Sequence, residues 1–389
     1  MAALIFKPNQ EKRLLNGHPW IYKTEIDAIK GSFKDGDIVD FLDHRKKFLG
    51  KGYANTQSQI VGRLLTTEQQ PIGADFFKER IEAAAALRSR IIRDTDAYRL
   101  IYSESDLLPG LIVDRYGDYL VVQFLTLGMT KWKGVILDIL EAQFQPLGIM
   151  ERSDVTVRTY EGLPQETGVR RGTVPEKISI TEHGLSFMVD AARGQKTGFF
   201  LDQRDNRMAA RRLAKDARVL DGCCHTGAFS VAVAMGGAKE VIGLDNSAEA
   251  IALAQRHAEL NGLTDLIRFE EANIFDRLRT LHQEAPFDMV ILDPPAFTRG
   301  KASIPGAMRG YKDINLNALR LIRPGGFLIT CSCSYHLSEA LFRELLLDAA
   351  NDVRRTIRVL EFRSQAPDHP ALLAAPETHY LKCLILQVF

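Results

Sequence analysis

Val219-Leu-Asp-Gly-Cys-Cys-His-Thr-Gly227 is the stretch on which the fold turns: an apolar run closes on an acid, and a loop bracketed by glycines follows. Three more apolar runs recur further along, Glu240-Val-Ile-Gly-Leu244, Met289-Val-Ile-Leu292 and Gly326-Phe-Leu-Ile-Thr330. Each is continuous rather than alternating, as strands buried on both faces require. Helical stretches fit between them, such as Ser247 to Leu260, which closes on Asn261-Gly262 with a glycine C-cap. Strand and helix alternating from about Glu182 predict an α/β fold with a doubly wound, Rossmann-like sheet.

In such a sheet, ligands bind beyond the C-terminal strand ends, at the point where strand order reverses. The glycines of Asp221-Gly222-Cys223-Cys-His-Thr226-Gly227 let backbone approach a ligand closely, and the helix behind them offers unpaired N–H groups. The next strand closes on Asp245-Asn246, placing an acid where both ribose hydroxyls of an adenosine are within reach. A dinucleotide site uses the same acid but needs G-x-G-x-x-G for the pyrophosphate, and this loop lacks that spacing. S-adenosylmethionine carries no phosphate and makes no such demand. Asn273 and Ile274, after the third strand, are candidates for the adenine edge and face.

Upstream, residues 1–68 read as short strands and turns (Asp37–Leu42, Phe48–Tyr53, Ile60–Leu65), which predicts a small β-barrel. Gln69-Gln-Pro-Ile-Gly73 is a linker. Residues 74–180 predict a small α+β domain. It has a helix from Ala74 to about Ile92, burying Phe76, Phe77, Ile81, Ala84, Ala85 and Leu87. Strands Gly110–Asp114 and Tyr119–Phe124 follow, turning at Arg115–Asp118, and then a helix from Lys131 to about Gln143. Residues 182–389 form the doubly wound domain.

At 389 residues the chain is too long for one domain, and 46% hydrophobic with 25% charged residues fits a globular protein with a real core. No apolar run approaches the ~20 residues that cross a bilayer, so no membrane is expected. The opening Met1-Ala-Ala-Leu-Ile-Phe-Lys7 lacks a signal-peptide layout, which points to the cytoplasm. Five cysteines, all in the second half, are no disulfide framework. The net charge of +1 gives no support to nucleic-acid binding. However, residues 1–70 hold eleven Lys/Arg against eight Asp/Glu, and His44-Arg45-Lys46-Lys47 with Lys51 gathers positive charge on one turn.

The fourth strand ends in Asp293-Pro-Pro295-Ala-Phe297, where two prolines force the chain out of the sheet beside the cofactor. The fifth runs into Thr330-Cys-Ser-Cys-Ser334, so Cys331 and Cys333 share a strand face if the extended conformation persists. A cysteine in a sheet is ordinarily inert core. Zinc ligation lacks its spacing here, and no metal is expected. A nucleophile is the third reading. Carbon-5 of cytosine is too electron-poor to take a methyl directly, and a thiolate added at carbon-6 makes it nucleophilic. An acid near N3, which Asp293 supplies, stabilises the adduct.

Several runs together resemble one family, the large-subunit rRNA cytosine-5 methyltransferases that carry a PUA domain. They are Gly194-Gln-Lys-Thr-Gly-Phe-Phe-Leu-Asp-Gln-Arg-Asp-Asn-Arg207, Asp293-Pro-Pro-Ala-Phe297, Arg309-Gly-Tyr-Lys-Asp-Ile-Asn315 and Ser332-Cys-Ser334. Gly17-His-Pro-Trp20 and Pro376-Glu-Thr-His-Tyr-Leu-Lys382 are similar to that family's opening and closing segments. The resemblance implies a PUA domain, a central α+β domain and a class I methyltransferase domain using S-adenosylmethionine. It puts Cys333 in the nucleophile's place and Asp293 in that of the motif acid. Phe200, Asp202 and Arg204 would line the cofactor site, Arg204 toward the methionine carboxylate. It implies large-subunit rRNA and a second copy of the chain as partners. Arg45, Lys46 and Lys47 would contact phosphates, and Pro295, Phe297 and Tyr335 the flipped base. Ala296 stands where many RNA cytosine-5 enzymes have a second cysteine, so no residue is assigned to remove the carbon-5 proton. Methylation of a guanine nitrogen or exocyclic amine, which needs no cysteine, remains open, as does a non-catalytic ribosome-assembly role.

Overall fold

The computed structural model describes residues 2–284, 286–297, 300 and 303–389. The chain divides into two compact units. The first comprises Met1–Thr181, Val189–Leu201 and Pro367–Thr378, and the second Glu182–Met188, Asp202–Ala366 and His379–Phe389.

In the first unit, six strands form one sheet: β1 (Ala3–Phe6), β2 (Trp20–Tyr22), β3 (Ile26–Lys30), β4 (Ile38–Leu42), β5 (Phe48–Ala54) and β6 (Ile60–Thr66), in the order β2-β6-β5-β4-β1-β3. Only β4, β5 and β6 are evident in the sequence. β1 and β2 are four and three residues long, too short for alternation to show, and β3 is exposed along most of its length and shows none. A short helix, α1 (Lys12–Leu15), sits between β1 and β2. Leu4, Phe6, Leu14, Ile21, Val39, Phe41, Ala54 and Val61 form the core of this sheet.

A second sheet, of order β11-β10-β9-β8-β7, consists of β7 (Ala97–Tyr102), β8 (Leu111–Tyr116), β9 (Tyr119–Phe124), β10 (Gly148–Ser153) and β11 (Glu166–Gly172). Helices α2 (Ala74–Ile91), α3 (Leu127–Lys131) and α4 (Lys133–Phe144) accompany it. Two expectations need correction here. Leu87 of α2 is exposed, and the buried position is Arg88, whose guanidinium donates to the carbonyls of Arg99 and Asp368 and pairs with Asp106. The helix expected from Lys131 to about Gln143 is α4, which starts at Lys133, and a short helix not expected, α3, precedes it.

A hairpin of β12 (Ile178–Glu182) and β13 (Leu185–Val189) follows. The second unit then holds β14 (Arg218–Gly222), β15 (Glu240–Asp245), β16 (Ile267–Glu271), β17 (Phe287–Leu292), β18 (Ile322–Ser332), β19 (Ile357–Arg363) and β20 (Lys382–Val388). Their order is β16-β15-β14-β17-β18-β20-β19, with β16 through β18 parallel and β20 antiparallel to both its neighbours. The intervening helices are α5 (Arg204–Arg212), α6 (Ala228–Met235), α7 (Ala248–Leu260), α8 (Ile274–Thr280), α9 (Ile304–Leu321) and α10 (Glu339–Asp352). Ser247 caps α7 through its hydroxyl, and Gly262 beyond its end takes φ +67°. The chain steps outward from β14 to β15 and β16, then returns to β17 on the other side. The reversal therefore falls at the C-terminal ends of β14 and β17.

Candidate active site

Strand pairing brings the predicted residues to that reversal. Asp221 and Gly222 stand opposite Ile291 and Leu292 of β17, and opposite Gly243 and Leu244 of β15. A Cβ on Gly222 would lie 2.8 Å from Ile274 Cδ1 and 3.0 Å from Leu292 Cδ2, so a larger residue would push both side-chain ends aside. Cys223 (φ 63°), His225 (φ 50°) and Gly227 (φ 74°) give the loop three left-handed residues, two of them side-chain-bearing. Such strain persists where surrounding structure fixes it. Here the His225 N–H donates to Asp245 Oδ2 at 2.9 Å, and the Cys224 N–H to the Leu244 carbonyl at 2.8 Å. The Thr226 carbonyl is bonded to buried His257 Nδ1 at 2.8 Å.

A cavity of about 130 Å³ opens beside this loop. Cys223, Asp245, Asn246, Asn273, Ile274, Pro295 and Phe297, all singled out from sequence, are among its lining residues. The Asn273 side-chain oxygen accepts from the Phe275 N–H, capping α8, so its amide nitrogen is the group left to meet a ligand. Asp221 lies fully buried at the end of β14. Ser230 donates to its Oδ2 at 2.6 Å, and Oδ1 has no hydrogen-bond partner among the described residues. Burial pushes its carboxyl up to about 7, with Asp293 and Asp245 adding to the rise.

That shift has a consequence for stability. Between about pH 4 and pH 7 the folded protein holds a proton that the unfolded chain has released, so stability falls as pH rises through this window. Asp221→Asn is expected to flatten the fall in ligand-free protein. Denaturant midpoints measured from pH 4.5 to 8 check this, and an unchanged slope in the variant would count against it.

Asp202 and Arg204 do not line the cavity. Asp202 is buried and accepts from the Tyr380 hydroxyl, and Arg204, also buried, pairs with Asp205 at 3.3 Å. Phe200 belongs to the first unit, where the Lys196 ammonium lies 4.5 Å from its ring centroid.

Asp293 follows β17 directly, its N–H 3.4 Å from the Gly222 carbonyl. The Phe297 ring stacks at 4.5 Å on Tyr311 and at 5.9 Å on Phe275, and Gly310 leaves it room. Tyr335 is largely exposed beside His336.

The two cysteines near the end of β18 separate sharply. The strand ends at Ser332, so the shared-face expectation does not reach Cys333. Cys331 is fully buried opposite Cys383, and that contact together with burial drives its thiol far above the ordinary range. Cys333, beyond the strand end, is only half-buried. Tyr311 donates to or accepts from Ser334 Oγ at 3.1 Å and is within electrostatic reach of both Cys333 and Asp293. Burial raises its phenol to about 12. Tyr311 and Lys382 lie in runs that carry the family resemblance, which gives neither a role; Lys382 is the lone charge in the run Leu381–Val388.

In the first unit, Arg45, Lys46 and Lys47 are exposed on the turn joining β4 and β5, held by Asp43, whose Oδ1 accepts from the Arg45 and Lys47 N–H groups at 2.8 Å. Lys51 does not join them. It is buried, bonded to the Gln70 carbonyl and 3.7 Å from Asp40.

Residues 4–67 match the profile of a PUA-like domain, and residues 166–386 that of an S-adenosylmethionine-dependent methyltransferase. The chain belongs to that methyltransferase family. "Ribosomal RNA large subunit methyltransferase I" of Tolumonas auensis is 45% identical over 394 residues, covering 99% of each chain. The Aeromonas hydrophila protein of the same name is 42% identical over 393 residues, again covering 99% of each. A candidate methyltransferase crystallised with S-adenosylhomocysteine superposes with a TM-score of 0.87 at 23% identity over 100% of both chains, a likeness of fold. The methyltransferase's cofactor is S-adenosylmethionine, and the residues fit it. Asp245 stands where an adenosine ribose is bound in doubly wound sheets, and the unpartnered buried oxygen of Asp221 suits a cationic or N–H group.

Proposed function

We propose that this methyltransferase modifies carbon-5 of a cytosine in large-subunit ribosomal RNA, in the cytoplasm, with Cys333 as nucleophile. The contrast between two neighbouring cysteines carries the reading. One thiol is sealed against Cys383, and the other stands half-buried past the strand end, within electrostatic reach of Tyr311. The names of the curated relatives support the substrate class.

The chemistry follows from these groups. The Cys333 thiolate adds to carbon-6, forming the Sγ–C6 bond and shifting the C5=C6 electron pair into the ring. Asp293, donating toward N3, stabilises the charge that develops there. Bound S-adenosylmethionine supplies an electrophilic methyl, which carbon-5 now accepts. Loss of the carbon-5 proton to water re-forms C5=C6 and expels the Cys333 thiolate. Asp245 holds the ribose, Asn273 and Ile274 hold the adenine, and the base, flipped out of its stack, meets Phe297, Pro295 and Tyr335.

The test is nucleoside analysis of bulk rRNA incubated with the enzyme and labelled S-adenosylmethionine. Label in 5-methylcytidine is expected. Label in a methylated guanosine or an N4-methylated cytidine would overturn the reading, and no label would point to an assembly role instead. The basic turn has its own test. Arg45, Lys46 and Lys47 changed together to alanine should weaken rRNA binding and lower the slope of log K against log salt by roughly one for each phosphate no longer neutralised. An unchanged slope would remove the turn from the interface.

A further inference from the structure

Lys382 has no place in the mechanism above, yet it is a lysine inside the sheet. It opens β20 opposite Ser332, the last residue of β18, and is buried to 6% exposure. Its Nζ donates to the Ser334 carbonyl at 2.7 Å and to the Tyr380 carbonyl at 2.9 Å. Register on one side and a hydrogen bond on the other therefore bracket the single residue between, Cys333. Burying an ammonium costs several kcal/mol unless something compensates, and two neutral carbonyls compensate only in part.

We propose that Lys382 is a positioning residue that favours the thiolate form of Cys333 and fixes the turn carrying it; the catalytic half of this rests on the reading of Cys333 as nucleophile. The surrounding charges are consistent with it. Burial lowers the Lys382 ammonium to about 8, with Cys333 acting in the opposite direction, so the lysine is cationic at neutral pH. Around Cys333, Asp293 after β17 opposes the thiolate when ionised, Tyr311 of α9 stays a neutral phenol bonded to Ser334, and Cys331 on β18 is held protonated. Asp202 faces the neighbouring Tyr380 hydroxyl. Among these groups Lys382 alone is a cation, and a cation beside a thiol is what lowers the energy of its thiolate.

The experiment needs no RNA. The rate of Cys333 alkylation by iodoacetamide is followed by peptide mass spectrometry from pH 5.5 to 9.5 in the full-length protein. Lys382→Gln keeps an N–H donor for the carbonyls without the charge, and Lys382→Arg keeps the charge. In Lys382→Gln the alkylation limb is expected to move up by about one pH unit, a roughly tenfold slower reaction at pH 6.5 that recovers above pH 9. Lys382→Arg should stay near wild type. A limb unmoved in Lys382→Gln, or a loss uniform across pH, would overturn the proposal and leave a structural strut. Methyl transfer measured over the same range separates the two readings. If the alkylation limb shifts but methylation shows no dependence on Cys333, the electrostatic assignment stands and the nucleophile does not.

Discussion

Cys333→Ala is expected to abolish formation of a covalent complex with RNA containing 5-fluorocytosine, whereas Cys331→Ala should form it at close to the wild-type rate. Fluorine at carbon-5 cannot leave as a proton does, so a cysteine enzyme halts after methyl transfer with its Sγ–C6 bond intact. The two variants remove the same atom two residues apart, which makes them controls for each other. Cys331 faces Cys383 inside the sheet, and its loss should cost about 1 kcal/mol of stability through a small cavity. Loss of Cys333 removes the only route proposed to a nucleophilic carbon-5, so turnover on natural rRNA should fall on the order of 10³-fold or more. The readout is a denaturing gel for the adduct and labelled methyl for turnover. An adduct that survives Cys333→Ala but vanishes in Cys331→Ala would exchange their roles. No adduct in wild type, with methyl still entering unmodified rRNA, would discard thiolate catalysis.

The C-terminal sheet is legible in the sequence because its parallel strands are buried on both faces and read as unbroken apolar runs, three of which end at or beside the candidate residues Asp221, Asp245 and Asp293. The cavity's lining follows from the same rule, since strand ends place their successors at one edge. What stays hidden depends on pairing between segments distant in the chain. Nothing near Cys331 says that Cys383 will sit across from it, and nothing near Lys382 says that its Nζ will reach Ser334. β1 and β2 escape for a different reason, having too few residues to establish a period, and β3 because it is mostly exposed and has no buried face to alternate. The run Gly194–Arg207 also makes contacts that no local pattern announces. Its part from Lys196 to Arg204 is the most specific match in the chain, and the resemblance puts Phe199 to Arg204 beside the cofactor. Yet Asp202 bonds Tyr380, Arg204 pairs with Asp205, and Asn206 donates to the Ser364 carbonyl. Much of that run's polarity is spent inside the second unit, fastening α5 to the chain's closing segments.

Arg207 is the extreme case and carries the largest stability effect expected of any single substitution. Its Nε and Nη2 donate to the two carboxylate oxygens of Glu182 at 2.7 and 2.6 Å, with both side chains 2% exposed. A fork-to-fork pair of this kind is strong in geometry, but its net worth against an apolar pair is small, because both charges were taken out of water to make it. Breaking it is another matter. Arg207→Met leaves the Glu182 carboxylate buried without its counter-charge, at a cost of about 3–5 kcal/mol. The double variant Arg207→Met/Glu182→Leu removes the orphan as well and should recover most of that loss. Trp20 and Trp132, the two tryptophans of the chain, both lie in the first unit, so their fluorescence does not report directly on the second. Hydrogen exchange at the amides of β14 and β15 does. Faster exchange in the single variant that the double variant largely reverses is the expected pattern. Equal losses in both would mean that Arg207 acts through packing of its aliphatic stem rather than through its charge.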